Sequence, residues 1–281
     1  MVIFFLDNRF RVLPSALHGY LPQHHSGFVI TDITVKRCSS VNFFSSCKVE
    51  GESWHRIEKD LYLGSSYFSS AYVDVQRKKE EELKPDDKVI LDIVVGRLDP
   101  SGKKGEGDER WDAKPEGIWV KSSAKRHASD EKTVVTDVDV LFGPDAVDPR
   151  EGWEVKDTGL LLGSGEAHQP RLSIRRGSHS APTKPVLHIG ENGKFKILQV
   201  ADLHLSTGVG DCRDAMPADG SKCEADTRTL EFIGKMLDEE KPDLVVLSGD
   251  QVNGDTAKDA QTVWSQFLLV MTAFDCMVGN F

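Results

Sequence analysis

The chain has 281 residues, enough for one large domain or two ordinary ones. With 39% hydrophobic and 28% charged residues its composition is that of a globular rather than a disordered protein. A formal net charge of −10 argues against a nucleic-acid-binding face, which needs clustered Lys and Arg, and no apolar run reaches the roughly 18–20 residues of a membrane-crossing helix.

Met1-Val2-Ile3-Phe4-Phe5-Leu6 is an apolar stub, too short for the core of a signal peptide. It reads as a first strand, a frayed terminus, or the tail of a signal anchor that begins outside this sequence. Only the last reading brings the protein to a membrane. Residues 1–27 are otherwise irregular, and the adjacent His24 and His25 point to opposite sides of an extended chain. Strand signals then follow at residues 28–35, 88–95, 117–120 and 133–140, all rich in β-branched residues. In the last of these, apolar and polar residues alternate, which predicts one solvated face. The mixed-charge run 76–84 predicts a solvated face or a short helix. Gly102-Lys103-Lys104-Gly105 lies in a turn-rich loop and lacks the Gly-Lys-Ser/Thr of a phosphate cradle. Trp54, Trp111, Trp119 and Trp153 read as packing residues rather than a carbohydrate platform. No internal repeat is evident. Residues 1–162 are therefore expected to form an antiparallel β domain.

Gly, Ser and Pro density marks residues 163–190 as a linker, within which Arg175-Arg176-Gly177-Ser178 matches a basophilic kinase consensus. Residues 191–281 change in character. The apolar run 195–201 predicts a buried strand. A polar loop follows, then a helix with Asp226 as its N-cap and Leu230, Ile233 and Leu237 on one face. Glu239-Glu240-Lys241-Pro242 ends that helix, and 244–247 is the next buried strand. Strand, helix and strand at these lengths make a βαβ unit with a parallel pair.

Each of these strands runs out into candidate ligands. Asp202-Leu203-His204 follows the first, and Ser248-Gly249-Asp250 follows the second. Ligands in open α/β sheets bind beyond the carboxyl ends of the strands. Two residues apart on an extended chain, Asp202 and His204 are expected to leave on the same side. Carboxylates with an imidazole suit Fe, Mn or Zn. The cysteines offer two local pairs, Cys38 with Cys47 and Cys212 with Cys223. Oxidised, each would contribute about 2–3 kcal/mol and imply the secretory pathway or a vacuole. Reduced, they fit a cytoplasmic protein equally well.

The stretches Lys196-Ile197-Leu198-Gln199-Val200-Ala201-Asp202-Leu203-His204, Cys223-Glu224-Ala225-Asp226 and Lys241-Pro242-Asp243-Leu244-Val245-Val246-Leu247-Ser248-Gly249-Asp250-Gln251 resemble the amino-terminal part of the calcineurin-like metallophosphoesterase domain, a superfamily that includes purple acid phosphatases. Within it the match is closer to fungal phosphatases of the dosage-dependent cell-cycle regulator type, and Asp60-Leu61-Tyr62-Leu63-Gly64 resembles the β-rich portion that precedes their catalytic domain. The resemblance implies an α+β protein: an antiparallel β domain, then the first βαβ part of an α/β metallophosphoesterase sandwich. It implies two divalent or trivalent metal ions, with Asp202 and His204 on the first and Asp250 bridging both. It implies hydrolysis of a phosphorylated substrate, phosphoprotein or small phosphoester, by in-line attack of a metal-bound hydroxide. The family completes its site with a Gly-Asn-His-Asp/Glu stretch, a further His and a Gly-His-x-His stretch. Here Gly279-Asn280 matches the opening of the first, Phe281 stands where His belongs, and the later histidines have no counterpart. The expectation is therefore a chain cut after the second metal motif, weakly active or inactive by itself, with Asn280 as a further candidate ligand. The competing expectation is a non-catalytic protein in which the β domain binds a partner and the phosphoesterase part is a degenerate remnant.

Overall fold

The computed structural model describes residues 27–39, 47–63, 69–100, 110–123, 132–162, 169–177, 187–190, 192–212, 223–273 and 278–280. These fall into two compact units, one within residues 22–144 and 150–180, the other within residues 145–149 and 181–281. The stub at the amino terminus, His24-His25 and the loop around Gly102 lie outside the described residues.

Among the described residues the first unit contains nine strands: β1 (Phe28–Ser39), β2 (Trp54–Arg56), β3 (Ser69–Lys79), β4 (Val89–Val95), β5 (Arg110–Ala113), β6 (Ile118–Ser123), β7 (Val135–Phe142), β8 (Trp153–Val155) and β9 (Pro170–Arg176). They pair antiparallel in three sheets of three, ordered β1-β3-β2, β4-β6-β5 and β7-β9-β8. The same order three times is an internal repeat, which the sequence did not disclose. Its signature is local. Each first strand has a register irregularity at one place, between Ile30 and Asp32, Ile90 and Asp92, and Val135 and Asp137. In each, the aspartate accepts a hydrogen bond from the N–H of the next residue, Ile33, Ile93 or Val138, at 2.8, 2.8 and 2.9 Å. A β-bulge leaves a backbone donor off the ladder, and a short acceptor side chain satisfies it locally.

The repeats bury equivalent residues together. Ile30, Ile90 and Val135 enter one core with Ile33, Ile93 and Val138, and with Val35, Val95 and Val140. Val29, Val89 and Val134 form a smaller cluster of their own. The bulge aspartates also link each repeat to the next. Asp32 pairs with Lys114 of the second repeat, Asp92 with Lys156 of the third at 3.3 Å, and Asp137 with Arg77 of the first at 2.7 Å. The ring is closed.

Three expectations are corrected here. Strand β7 has no solvated face; all eight of its residues are buried. Its polar positions carry carboxylates matched by cations, Asp139 between Lys59 at 3.1 Å and Arg150 at 2.8 Å. Burial pushes the Asp139 carboxyl up, but the charges of Lys59 and Arg150 outweigh it and hold the group well below the usual carboxylate range. The run 76–84 is a short helix only in part: its first residues, to Lys79, finish β3, and an exposed 3-10 turn follows at Glu80–Glu82. The expected linker contains β9, the central strand of the third sheet, so Arg175 is buried and Arg176 pairs with Asp92; Ser178 lies outside the described residues. Trp153 packs under the Arg150 guanidinium at 3.8 Å from the ring centre, as a packing residue. Cys38 and Cys47 are disulfide-bonded.

The second unit holds β10 (Ile197–Ala201), α1 (Ala225–Glu240), β11 (Leu244–Ser248), α2 (Ala260–Ala273) and β12 (Val278–Asn280). The strands form a parallel sheet in the order β10-β11-β12, as the βαβ reading predicts. Val200, Val245, Leu247, Ile233, Leu237, Val263 and Phe267 make its core. Strand β10 is not the buried strand expected. Only Val200 is buried in it, and Ile197 is 56% exposed, because β10 is the outer strand of this sheet and no described residue covers that face. Helix α1 ends as predicted, at Lys241 in the left-handed conformation with its N–H on the Leu237 carbonyl. It does not begin as predicted. Glu224, not Asp226, is the N-cap residue, and Asp226 lies within the first turn. Helix α2 does have a side-chain cap: Asp259 accepts hydrogen bonds from the Thr262 N–H and hydroxyl at 2.8 and 2.7 Å. Among the described residues no helix is long and apolar enough to cross a membrane.

Candidate metal centre

Strands β10 and β11 run parallel with Ala201 beside Ser248, so both chains leave the sheet at the same level. Asp202 and His204 follow one, Asp250 the other. The three side chains bring one ligand atom each to within 4.8 Å of one another, all on exposed residues. Among the described residues, no other group of three or more His, Cys, Asp or Glu side chains converges in this way.

The convergence has a different origin from strand alternation. β10 has already ended at Ala201, and both Asp202 and His204 adopt left-handed backbone, with φ of 55° and 47°. That region is rare for residues with a Cβ, though Asp and His tolerate it better than most, and such strain collects at functional sites. It persists only if neighbours hold it. Asp202 donates its N–H to the Ser248 carbonyl at 3.4 Å, His204 to the Asp250 carbonyl at 3.0 Å, and Leu205 to the Gln251 carbonyl at 3.0 Å. The Asp250 N–H in turn donates to Asp202 Oδ1 at 3.3 Å. The two exits are thus laced together at the backbone, and one Asp202 oxygen is fixed by a donor while the other is left for a ligand.

Gly249 makes this possible. Its φ is +71°, and a Cβ there would meet Asp202 Oδ1 at 2.7 Å and Oδ2 at 2.8 Å. A side chain would push the carboxylate off the site. The sequence signal for this was the Gly-Asp dipeptide at the strand end.

No Lys or Arg of the described residues pairs with Asp202 or Asp250, so their charge is left for another cation. Two carboxylates and an imidazole, exposed and crowded together, are the donor set that divalent Mn, Fe and Zn accept. Three side chains fill only part of such a coordination sphere. Asn280, the further candidate, ends β12 on the other side of β11, in register with Leu247; its side chain lies outside the described residues.

Beyond the ligands, a loop held by a disulfide between Cys212 and Cys223 links β10 to α1. Within it Ser206 and Thr207 are buried, and the Ser206 N–H donates to Asp226 Oδ2 at 2.7 Å. Sequence reading saw Asp226 as a cap and gave no role to Ser206; only the fold brings the two together.

Comparison with known proteins places this unit. The family model for the calcineurin-like phosphoesterase matches residues 195–278. The chain is 30% identical over 251 residues to the uncharacterized protein C1020.05 of Schizosaccharomyces pombe, covering 83% of this chain and 44% of that protein. It is 35% identical over 140 residues to Phosphatase DCR2 of Saccharomyces cerevisiae, covering 47% of this chain and 23% of that one. It is 41% identical over 75 residues to the probable inactive purple acid phosphatase 29 of Arabidopsis thaliana, covering 26% and 19%. The chain thus spans less than half the length of the curated relatives it matches. Residues 195–278 thus match the calcineurin-like phosphoesterase family, and the chain is similar to fungal phosphatases and purple-acid-phosphatase-like proteins.

Proposed function

We propose that Asp202, His204 and Asp250 bind Fe, Mn or Zn and that the edge they form serves hydrolysis of phosphate esters. The observation that carries this reading is the convergence of three ligand atoms within 4.8 Å at adjacent strand ends, in the segment that matches the phosphoesterase family. When bound, such cations supply Lewis-acid activation of water and positive charge against the phosphoryl oxygens. The chain's own residues do the rest. Asp202 and Asp250 provide uncompensated negative charge, the Asp250 N–H orients Asp202, and Gly249 keeps the space clear. Asp250 leaves β11, the strand flanked by β10 and β12, a position suited to the ligand that two ions share. The substrate is a phosphorylated protein or small phosphoester. The two disulfides favour an oxidising compartment, secretory or vacuolar.

A second reading has its own support. Relatives matched over this segment carry the description "probable inactive", and these 281 residues contain none of the later histidine motifs of the family. On that reading the edge binds one ion weakly and turns nothing over. Titration calorimetry with Mn²⁺ and Zn²⁺ tests the metal: binding to the wild type that is lost in Asp250→Asn and His204→Ala is expected, and equal binding by all three sinks the proposal. Hydrolysis of an aryl phosphate with added metal separates the two readings. Turnover of the 281-residue polypeptide that disappears in Asp250→Asn means an enzyme; weak or absent turnover is what its incomplete ligand set predicts.

A further inference from the structure

We infer that Asp226, at the start of α1, is a positioning residue for His204, acting through the Ser206 backbone. This rests on the metal reading of Asp202, His204 and Asp250.

Asp226 is 4% exposed, and no described Lys or Arg pairs with it. Burial raises its carboxyl above the ordinary value, nearby Asp145 adds to that, and hydrogen bonds from Ser206 work against it. A buried carboxylate without a cation is costly and calls for a compensating role. Helix-start electrostatics does not need it buried, since an exposed acid in the first turn serves the helix dipole as well. Nor does Asp226 cap its own helix. Its Oδ2 instead accepts from the Ser206 N–H at 2.7 Å, in the loop that follows His204. The backbone reinforces this. The Asp226 N–H donates to the Val209 carbonyl at 3.1 Å, and the Ala225 N–H to the Gly210 carbonyl at 3.2 Å. Room for the carboxylate comes from Gly210, whose φ is +61° and whose absent Cβ would sit 2.6 Å from Asp226 Oδ1.

The consequence falls on His204. Its backbone is left-handed and its side chain exposed, so packing does not hold it. It is held from one side by Asp250 and Gln251, through the His204 and Leu205 amides. On the other side the nearest fixed point is Ser206, two residues on, and Asp226 is what fixes it. Residues 204–206 are therefore clamped between the exit of β11 and the first turn of α1. Removing one clamp lets the strained His204 relax toward ordinary backbone, away from the other two ligands.

The test compares Asp226→Ala, Asp226→Asn and Gly210→Ala in the full 281-residue chain. Two quantities are read: Mn²⁺ or Zn²⁺ affinity by calorimetry, and metal-free hydrogen exchange at the Leu205 and Ser206 amides. Asp226→Ala is expected to weaken metal binding about tenfold, as loss of a ligand-orienting partner does, and to speed both amides at least about tenfold. Asp226→Asn keeps an acceptor for the Ser206 N–H and is expected to stay within about threefold of wild type. Gly210→Ala, which displaces the carboxylate without removing it, should follow Asp226→Ala and carries the test if that variant does not fold. A lower melting temperature with unchanged metal affinity in Asp226→Ala would overturn the inference, leaving Asp226 a structural residue. Lack of metal binding by the wild type itself would overturn the underlying metal reading, and the inference with it.

Discussion

The two units use the same side-chain chemistry in opposite ways. In the β unit, Asp137 and Asp139 are buried, and each touches cations from elsewhere in the ring: Arg77 on one, Lys59 and Arg150 on the other. Nothing is left for a ligand. In the α/β unit, Asp202 and Asp250 are exposed, crowded against each other and His204, and unmatched by any described Lys or Arg. The first arrangement has its electrostatics completed internally and is worth stability. The second is incomplete and is worth binding. Left-handed backbone alone does not separate the units, since the β unit holds Tyr62 and Glu116 that way while the candidate metal edge holds Asp202 and His204; only at that edge do such residues meet unmatched carboxylates. Buried carboxylates in this chain are not evidence of a site; uncompensated, strained ones are.

The comparison can be broken from either side. The largest effect is expected from Asp139→Ala, which strands Lys59 and Arg150 without their counter-charge. A loss of about 3–5 kcal/mol in the urea unfolding of the β unit follows, with metal affinity of the other unit unchanged. Next, His204→Ala should lower metal affinity at least about 100-fold while changing metal-free stability by less than about 1 kcal/mol, because the side chain is exposed and the backbone hydrogen bonds that hold residue 204 remain. A marked loss of metal-free stability would mean that His204 is structural. Gly249→Ala is expected to cost about 1–3 kcal/mol from its left-handed backbone, and to weaken metal binding in calorimetry because its Cβ displaces Asp202. Acid should act through Asp139. Its carboxyl is held below the usual range in the folded state, so its contribution is complete above the unfolded value of about 3.9 and is lost as pH falls below that. Melting temperature followed against pH should therefore drop below about pH 4, and Asp139→Asn should flatten part of that limb. The smallest effect is reserved for the exposed pair Arg37–Glu116, where Glu116→Gln should cost less than about 1 kcal/mol by the same unfolding measurement.

The second unit was legible because its signals are contiguous. Apolar strands, a helical stripe at Ile233 and Leu237, Pro242 after the helix, and ligands at strand ends all lie within short windows. The three candidate ligands were singled out before any geometry, although for the wrong backbone reason: Asp202 and His204 meet through left-handed turns, which no strand periodicity describes. The β unit was legible as strands and opaque as a repeat. Val29-Ile30-Thr31-Asp32-Ile33, Val89-Ile90-Leu91-Asp92-Ile93 and Val134-Val135-Thr136-Asp137-Val138 are alike, but they recur at unequal intervals among dissimilar loops. Alternation at β7 misled for a related reason. A polar face is solvated only if no cation arrives to meet it; Lys59 and Arg77 arrive from distant parts of the chain, and Arg150 from 11 residues beyond Asp139. The role of Asp226 was hidden likewise, since its partner Ser206 is 20 residues away.

Ring closure in the β unit also sets how the chain reaches its fold. In a linear array of repeats, each module rests on the one before, and folding can spread from any nucleus. Here the first repeat awaits the third: Arg77 finds Asp137 across 60 residues, and Lys59 finds the Val140 carbonyl across 81. Until residues 137–140 are in place, Arg77 and Lys59 lack these third-repeat partners, and their burial is less favourable. Two repeats therefore make no stable intermediate, loop-closure entropy is paid in full before the ring rewards it, and the unit should fold slowly and all at once.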